Sequence, residues 1–254
     1  MPMPPPPTEE KAGLLHVADE ALPGLSPCPQ ATTVLLRDSP AHANLHPSRQ
    51  RLRHRLSTYI QMPDIDVTRL ASAELAEAHR YRHWRSTVTG SLQVADLQRF
   101  VAVATGSDGA LRSNQVWIRS HDGCTHLPMV SAADAAGRLV SLVEWLRKGA
   151  LGSGMLRAVR ALALLNNAHP FLDGNGRLGR ALFNYCLHES GMPAACYVPL
   201  KTLAVVSHGG YEIRLREAEL WGCWDGLLSY HCDAIDLYSW LGRLPAGQWP
   251  GKEG

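Results

Sequence analysis

The sequence predicts an all-α, mostly helical chain: two central helices flank a chemistry-bearing loop, with one short β-hairpin as the exception. Three observations predict this. Ala135, Leu139, Leu142, Val143 and Leu146 recur at i, i+4, i+7, i+8 and i+11, one apolar stripe of helical period. Met155 to Leu165 is apolar on nearly every side in its second half, the pattern of a buried helix. Only one stretch, around Gln115–Arg119, has strand chemistry.

Residues 1 to about 50 are rich in proline, histidine and small polar residues and show little periodicity. They are expected to be a disordered tail, in which Met1–Pro7 could adopt polyproline II and enter an aromatic-lined groove. Val34 to Ile60 mixes basic and apolar residues, where the fold could begin. Residues 51–254 are expected to form one domain, an N-terminal helical extension on a core of about 75–235. Thr68 to Val101 reads as two helices broken at Thr87–Gly90.

In the hairpin, Gln115–Arg119 pairs with Thr125–Leu127, and Ser120-His121-Asp122-Gly123 supplies the turn. It is too small for a sheet-based core and suits a surface flap or lid. The helix from Ser131 is expected to end at Gly149, Gly152 and Gly154, and the buried helix to stop at Pro170. A further helix runs from about Asn175 to Ser190, closed by Gly191 with Pro193 beyond. Tyr211 to Asp236 forms one helix or two.

Composition narrows the function classes. Over 254 residues the formal net charge is +2, which implies no nucleic-acid tail and no acidic tail. The excess of arginine over lysine suits phosphate recognition, although a GC-rich genome produces the same bias. Six cysteines are scattered without a C-x-x-C pair, so neither a zinc site nor a disulfide framework is expected, and reduced thiols in a cytoplasm are the default reading. No apolar run is long enough for a membrane span, and Met1–Pro7 lacks the order of a secretory signal.

The chemistry concentrates in His169-Pro170-Phe171-Leu172-Asp173-Gly174-Asn175-Gly176-Arg177-Leu178-Gly179-Arg180, between the two central helices. A helix N-terminus offers unpaired N–H groups and partial positive charge. Gly174 and Gly176 let phosphate oxygens approach that backbone. Arg177 and Arg180, three apart, share a helix face and would hold a di- or triphosphate. Asp173 is a hard oxygen ligand for Mg²⁺. His169 titrates near neutrality and could act as a general base.

This segment resembles the signature of the Fic family, H-P-F-x-[D/E]-G-N-G-R-x-x-R, at every specified position. Ser113 to Pro128 resembles that family's flap, and Tyr211 to Tyr230 its helix after the motif. The resemblance implies a protein adenylyltransferase. His169 would deprotonate a Ser, Thr or Tyr hydroxyl of a target protein, which attacks the α-phosphate of ATP and expels pyrophosphate. Asp173 would hold Mg²⁺; Asn175, with the backbone at Gly174 and Gly176, would form the anion hole; Arg177 and Arg180 would orient the outer phosphates. Pro170 and Phe171 would anchor the loop. In the flap of Val116, Trp117 and Ile118, backbone groups at 116 and 118 would receive the target as an added strand, or simply pack the hairpin. Tyr211 would border the adenine, although Glu212 stands where some members carry a second aromatic.

Transfer of UMP, phosphocholine or phosphate on the same fold remains an alternative, with Gly176 disfavouring phosphorylation because that variant carries lysine there. A non-catalytic toxin–antitoxin-type module is another. Such enzymes are often restrained by a helix bearing [S/T]-x-x-x-E-[G/N], whose glutamate pairs with the second motif arginine. No glutamate here has Ser or Thr four residues earlier. Arg85–Gly90 would be the remnant, with Thr89 in the glutamate's place, or only a helix break. The expectation is an unrestrained protein, or one held by a partner chain that supplies the glutamate. No nucleic acid or membrane is expected as partner, and the protein would work in its own cytoplasm or be delivered into another cell.

Overall fold

The structure is a computed structural model that describes residues 8–28, 31–36, 46–56, 65–119, 126–148 and 153–244. The described residues are mostly helical. In chain order come α1 (Glu9–Ala21), α2 (Ala31–Leu36), α3 (Pro47–Arg51), α4 (Val67–Thr87) and α5 (Val94–Thr105). Strands β1 (Trp117–Arg119) and β2 (His126–Pro128) follow, then α6 (Ala132–Arg147), α7 (Gly154–Ala168) and α8 (Asn175–Glu189). The chain closes with α9 (Leu200–Val206), α10 (Gly210–Trp221) and α11 (Asp225–Arg243).

The α7–α8 pair is the centre, and its packing explains the apolar sequence of both helices. Met155, Ala158, Val159, Leu162 and Leu165 of α7 are buried, as are Leu178, Ala181, Leu182 and Phe183 of α8. Burying side chains of this size is worth about 1.5–3 kcal/mol each for the larger ones. Gly179 allows the close approach: a Cβ there would stand 2.9 Å from Leu162 Cδ1. α6 and α1 pack on α7, and α5 on α8, so the loop joining α7 to α8 emerges from the best-packed part of the molecule.

The expected tail is corrected over residues 9–28, while residues 1–7 lie outside the described set. Thr8 caps α1 by accepting from the Lys11 amide, and Glu9 and Glu10 complement the helix dipole in its first turn. Leu15, Ala18, Leu22 and Leu25 form a stripe that is buried against the body, with α1 packed on α11 and α7. The biased composition hid this stripe. Asp19 Oδ1 also accepts the Met155 amide at 2.8 Å, so α1 caps the start of α7. α2 packs on α4 and α9, and α3 on α11.

Three other expectations shift. Gly154 opens α7 instead of ending α6, because a Cβ at that position would meet Ser190 Oγ at 2.2 Å. Gly149 and Gly152 lie outside the described residues. The 211–236 stretch is α10 and α11, separated at Gly222, which has φ 68° and fits a helix C-terminus. The short α9 had been missed; at seven residues, with Pro199 before it, it offers under two full turns of period. The break between α4 and α5 falls at residues 88–93, close to its expected place. β1 and β2 pair antiparallel with Trp117 opposite Pro128, Ile118 opposite Leu127 and Arg119 opposite His126. The expected turn at 120–123 lies outside the described residues.

Candidate functional site

The loop between α7 and α8 is shaped by two left-handed residues. His169 ends α7 at φ 47° and still donates its amide to Leu165. Gly174 precedes α8 at φ 87°, where a side chain would be strained and its Cβ would also lie 2.9 Å from Thr105 Cγ2. Between them Phe171 is buried as an anchor, and Leu172 points outward. Asn175 closes the loop: its Oδ1 accepts the Phe171 amide at 3.0 Å and its Nδ2 donates to the Phe171 carbonyl at 2.7 Å. Asn175 is buried, and these two bonds hold the loop against the start of α8.

A cavity of about 440 Å³ opens over this loop. His169, Asp173, Gly174, Asn175, Gly176, Arg177 and Arg180 all line it. Burial lowers the His169 pKa below the ordinary imidazole value, and the charges of Arg112 and Arg216 add to the effect. The imidazole is therefore neutral at pH 7 and able to take a proton. Asp173 is lowered by its hydrogen bonds from Arg177 and the Gly174 amide, so it is an ionised carboxylate. Its side chain is 74% exposed, with Oδ2 2.6 Å from Arg177 Nη2. Arg177 also donates to the Ala104 carbonyl.

Among the described residues no three His, Cys, Asp or Glu side chains converge on a point that could hold a metal ion. A single accessible carboxylate beside a helix N-terminus nonetheless fits Mg²⁺, which takes one or two carboxylates and can complete its shell with a ligand's phosphate oxygens and water. Asp173 is that carboxylate.

Arg180 is already engaged. Its Nε and Nη2 donate to Glu77 Oε1 and Oε2 at 2.7 and 2.8 Å, a two-pronged ion pair with α4. Glu77 is 3% exposed, and the Tyr197 hydroxyl donates to the same carboxylate at 2.9 Å. Burial alone would lower the Arg180 pKa, yet the hydrogen bonds and charge of Glu77 hold it above the ordinary guanidinium value. Glu77 of this chain thus makes the contact with Arg180 that was expected of a partner chain's glutamate. Thr89 is not the counterpart, since it lies beyond the end of α4. Ala73 stands four residues before Glu77, and the missing hydroxyl comes from Tyr197, distant in sequence.

Glu74, one turn earlier on α4, accepts from the Thr202 amide and hydroxyl at 2.6 and 3.0 Å and fastens the helix to α9. Burial first, and Glu77 second, raise its pKa.

Arg112 was not anticipated. It is 4% exposed and bridges the loop to the flap. Its amide donates to the Pro170 carbonyl and its Nε to the His169 carbonyl, at 2.9 and 2.7 Å. Its Nη atoms donate to the carbonyls of Asn114 and Val130, which flank the two strands. Ala73, Arg80 and Lys201 also line the cavity and were not foreseen.

The flap residues stand apart from the cavity wall. Val116 gives its carbonyl to the Met129 amide at 2.9 Å, and Trp117 is 53% exposed. Ile118 lies in β1 opposite Leu127. Tyr211 lies behind the end of α7. It packs on Tyr230 and His231, with ring centroids 5.7 and 5.9 Å away, and its hydroxyl accepts from Asn166 Nδ2 at 3.1 Å. It supports the end of α7 from behind and does not line the loop's cavity.

Residues 91–187 match the family model described as Fic/DOC. The fold resembles a Fic family protein from Desulfovibrio desulfuricans G20, with TM-score 0.64 and 17% identity over 93% of this chain and 75% of that one. Fic-1 (residues 134–508) of C. elegans gives 0.56 and 18%, over 90% and 71%. A Fic domain containing signaling protein from Bacteroides thetaiotaomicron VPI-5482 gives 0.51 and 18%, over 92% and 93%. No curated protein matches the chain in sequence.

Proposed function

From residues 91–187 as a Fic/DOC segment set in a Fic fold, we propose that this protein transfers AMP from ATP to a hydroxyl of a target protein. The observation that carries the proposal is the neutral His169 at the wall of a cavity whose floor is the open N-terminus of α8. There the amides following Gly174, the positive helix end and the motif arginines favour a polyphosphate. His169 takes the hydroxyl proton as the oxygen attacks the α-phosphorus. A new P–O bond forms to the target, the bond to the bridging oxygen breaks, and pyrophosphate leaves. Backbone amides of the α8 N-terminus face the charge that develops. Asp173 would hold Mg²⁺; when bound, the ion offsets charge between neighbouring phosphate oxygens.

This arrangement corresponds to a restrained form. Glu77 uses both donor faces of Arg180 that would otherwise orient the outer phosphates. Withdrawal of α4, or loss of Glu77, would free them.

The test uses the Glu77→Gly chain with ATP labelled at the α-phosphate and a cell lysate. Label should enter proteins, and His169→Ala in the same background should abolish it. Incorporation from labelled UTP but not ATP would overturn the reading. Mass spectrometry of the adducts would then identify the target side chain.

A further inference from the structure

The motif does not account for all the positive charge around the cavity. Four cationic side chains line it, Arg80, Arg177, Arg180 and Lys201, against two carboxylates, Glu77 and Asp173. Both carboxylates are paired, with Arg180 and Arg177 respectively. Arg80 and Lys201 are therefore the surplus, and they come from outside the motif loop.

Arg80 carries the stronger argument. It lies on α4 three residues after Glu77, and Ala73, Glu77 and Arg80 together present one face of that helix to the cavity. Its neighbours along α4 are engaged elsewhere: Arg82 donates to the Ala195 carbonyl and Arg85 pairs with Glu189. Arg80 makes no such contact, and its Nε is buried with no hydrogen-bond partner among the described residues. A guanidinium that spends no donor on the protein keeps its charge and its donors for an anion at the wall it lines. The helix that carries the restraining acid thus also carries a cation in want of an acceptor, at the wall of the same cavity.

We infer that Arg80 is a polyphosphate ligand supplied by the restraining helix, binding the outer phosphates beyond the reach of the α8 N-terminus. The inference rests on the proposed use of a nucleoside triphosphate. Its chemistry needs only a di- or triphosphate, so it holds for any such donor. The helix then has two opposed effects on the nucleotide. Glu77 denies Arg180 to the phosphates, while Arg80 offers them a replacement.

The probes are inorganic tripolyphosphate, ATP and AMP, each titrated with Mg²⁺ into the full-length chain and followed calorimetrically. Arg80→Gln should weaken tripolyphosphate and ATP about tenfold, the loss expected for one charge-assisted contact. AMP should change by less than about twofold, since it lacks the outer phosphates. Arg80→Lys should restore part of the loss, which a packing defect would not allow. Thermal denaturation of both variants checks that they remain folded.

Tripolyphosphate affinity unchanged in Arg80→Gln would overturn the inference, as would equal weakening of AMP. The two readings fail separately. Absence of AMP transfer with Arg80-dependent tripolyphosphate binding refutes the transferase reading alone. Transfer with Arg80-independent binding refutes this one alone.

Discussion

Arg180 and Glu77 meet through two parallel hydrogen bonds of 2.7 and 2.8 Å, joining the first turns of α8 to the middle of α4. The fork of a guanidinium matches a carboxylate as well as it matches a phosphate. Glu77 therefore competes directly for the group that a polyphosphate would use. Glu77→Gly should raise label transfer from ATP by about 10- to 100-fold, the range of a typical 1–3 kcal/mol coupling. Initial rates measured on a fixed lysate would check it. The same variant should melt earlier than the parent without nucleotide and regain more on adding ATP, because the phosphates then partner Arg180.

Tyr197 should set how firmly Glu77 is held. Its hydroxyl donates to Glu77 Oε1 at 2.9 Å, and the residue is buried. Tyr197→Phe keeps the ring and removes the donor. Transfer should rise by about 3- to 10-fold, less than for Glu77→Gly, since one bond to a charged acceptor is lost while the ion pair stays. Combining both substitutions should add nothing to Glu77→Gly, a cycle that isolates the contact.

The sequence made some of this legible and concealed the rest for a physical reason. The motif loop, α6, α7, α8 and the hairpin are local patterns, readable from neighbouring residues. Glu77 is different. Its significance depends on the rotation of α4 against α8, and its second partner, Tyr197, is 120 residues away. A rule that looks four residues back finds Ala73 and passes over it. Tyr211 is similar: that its ring packs on Tyr230 and His231 depends on how α11 sits against α10.

Arg112 should act on turnover and leave nucleotide binding alone. It ties the carbonyl of His169 to the two ends of the hairpin, at Asn114 and Val130, and so fixes the base relative to the flap. Arg112→Gln should lower kcat for protein transfer by about tenfold or more, as a misplacement near 1 Å can cost up to a hundredfold. ATP affinity should remain within about twofold. Equal losses in both would show a general collapse of the loop instead.

The acid limb of activity should sit lower than a free imidazole would place it. Burial depresses the His169 pKa, so the base stays deprotonated from pH 7 down past about 6.5. Rate should fall only as pH drops through the lowered value. A limb at or above the free-imidazole value, in the pH profile of kcat/KM, would contradict this.

Stability should respond to pH through another histidine. His231 is fully buried, donates from Nδ1 to the Leu227 carbonyl at 2.8 Å, and burial lowers its pKa to about 4. The unfolded chain takes up that proton first, so stability is lost as pH falls from about 6.5 toward about 4, by about 3 kcal/mol in total. Urea denaturation at a series of pH values would show the slope. His231→Phe should flatten it.

The seat of α1 has a consequence for how the chain comes together. Its buried stripe rests on α11 and α7, and Asp19 caps α7, so these two partners of α1 lie more than a hundred residues downstream. During synthesis α1 leaves the ribosome early and finds its place late, after α11 (Asp225–Arg243) has emerged. Until then its leucines have only α7 to rest on. A nascent chain stalled before α11 leaves the face of α1 that meets it open to chaperones and proteases. Residues 225–243 must be made before residues 9–21 can settle fully.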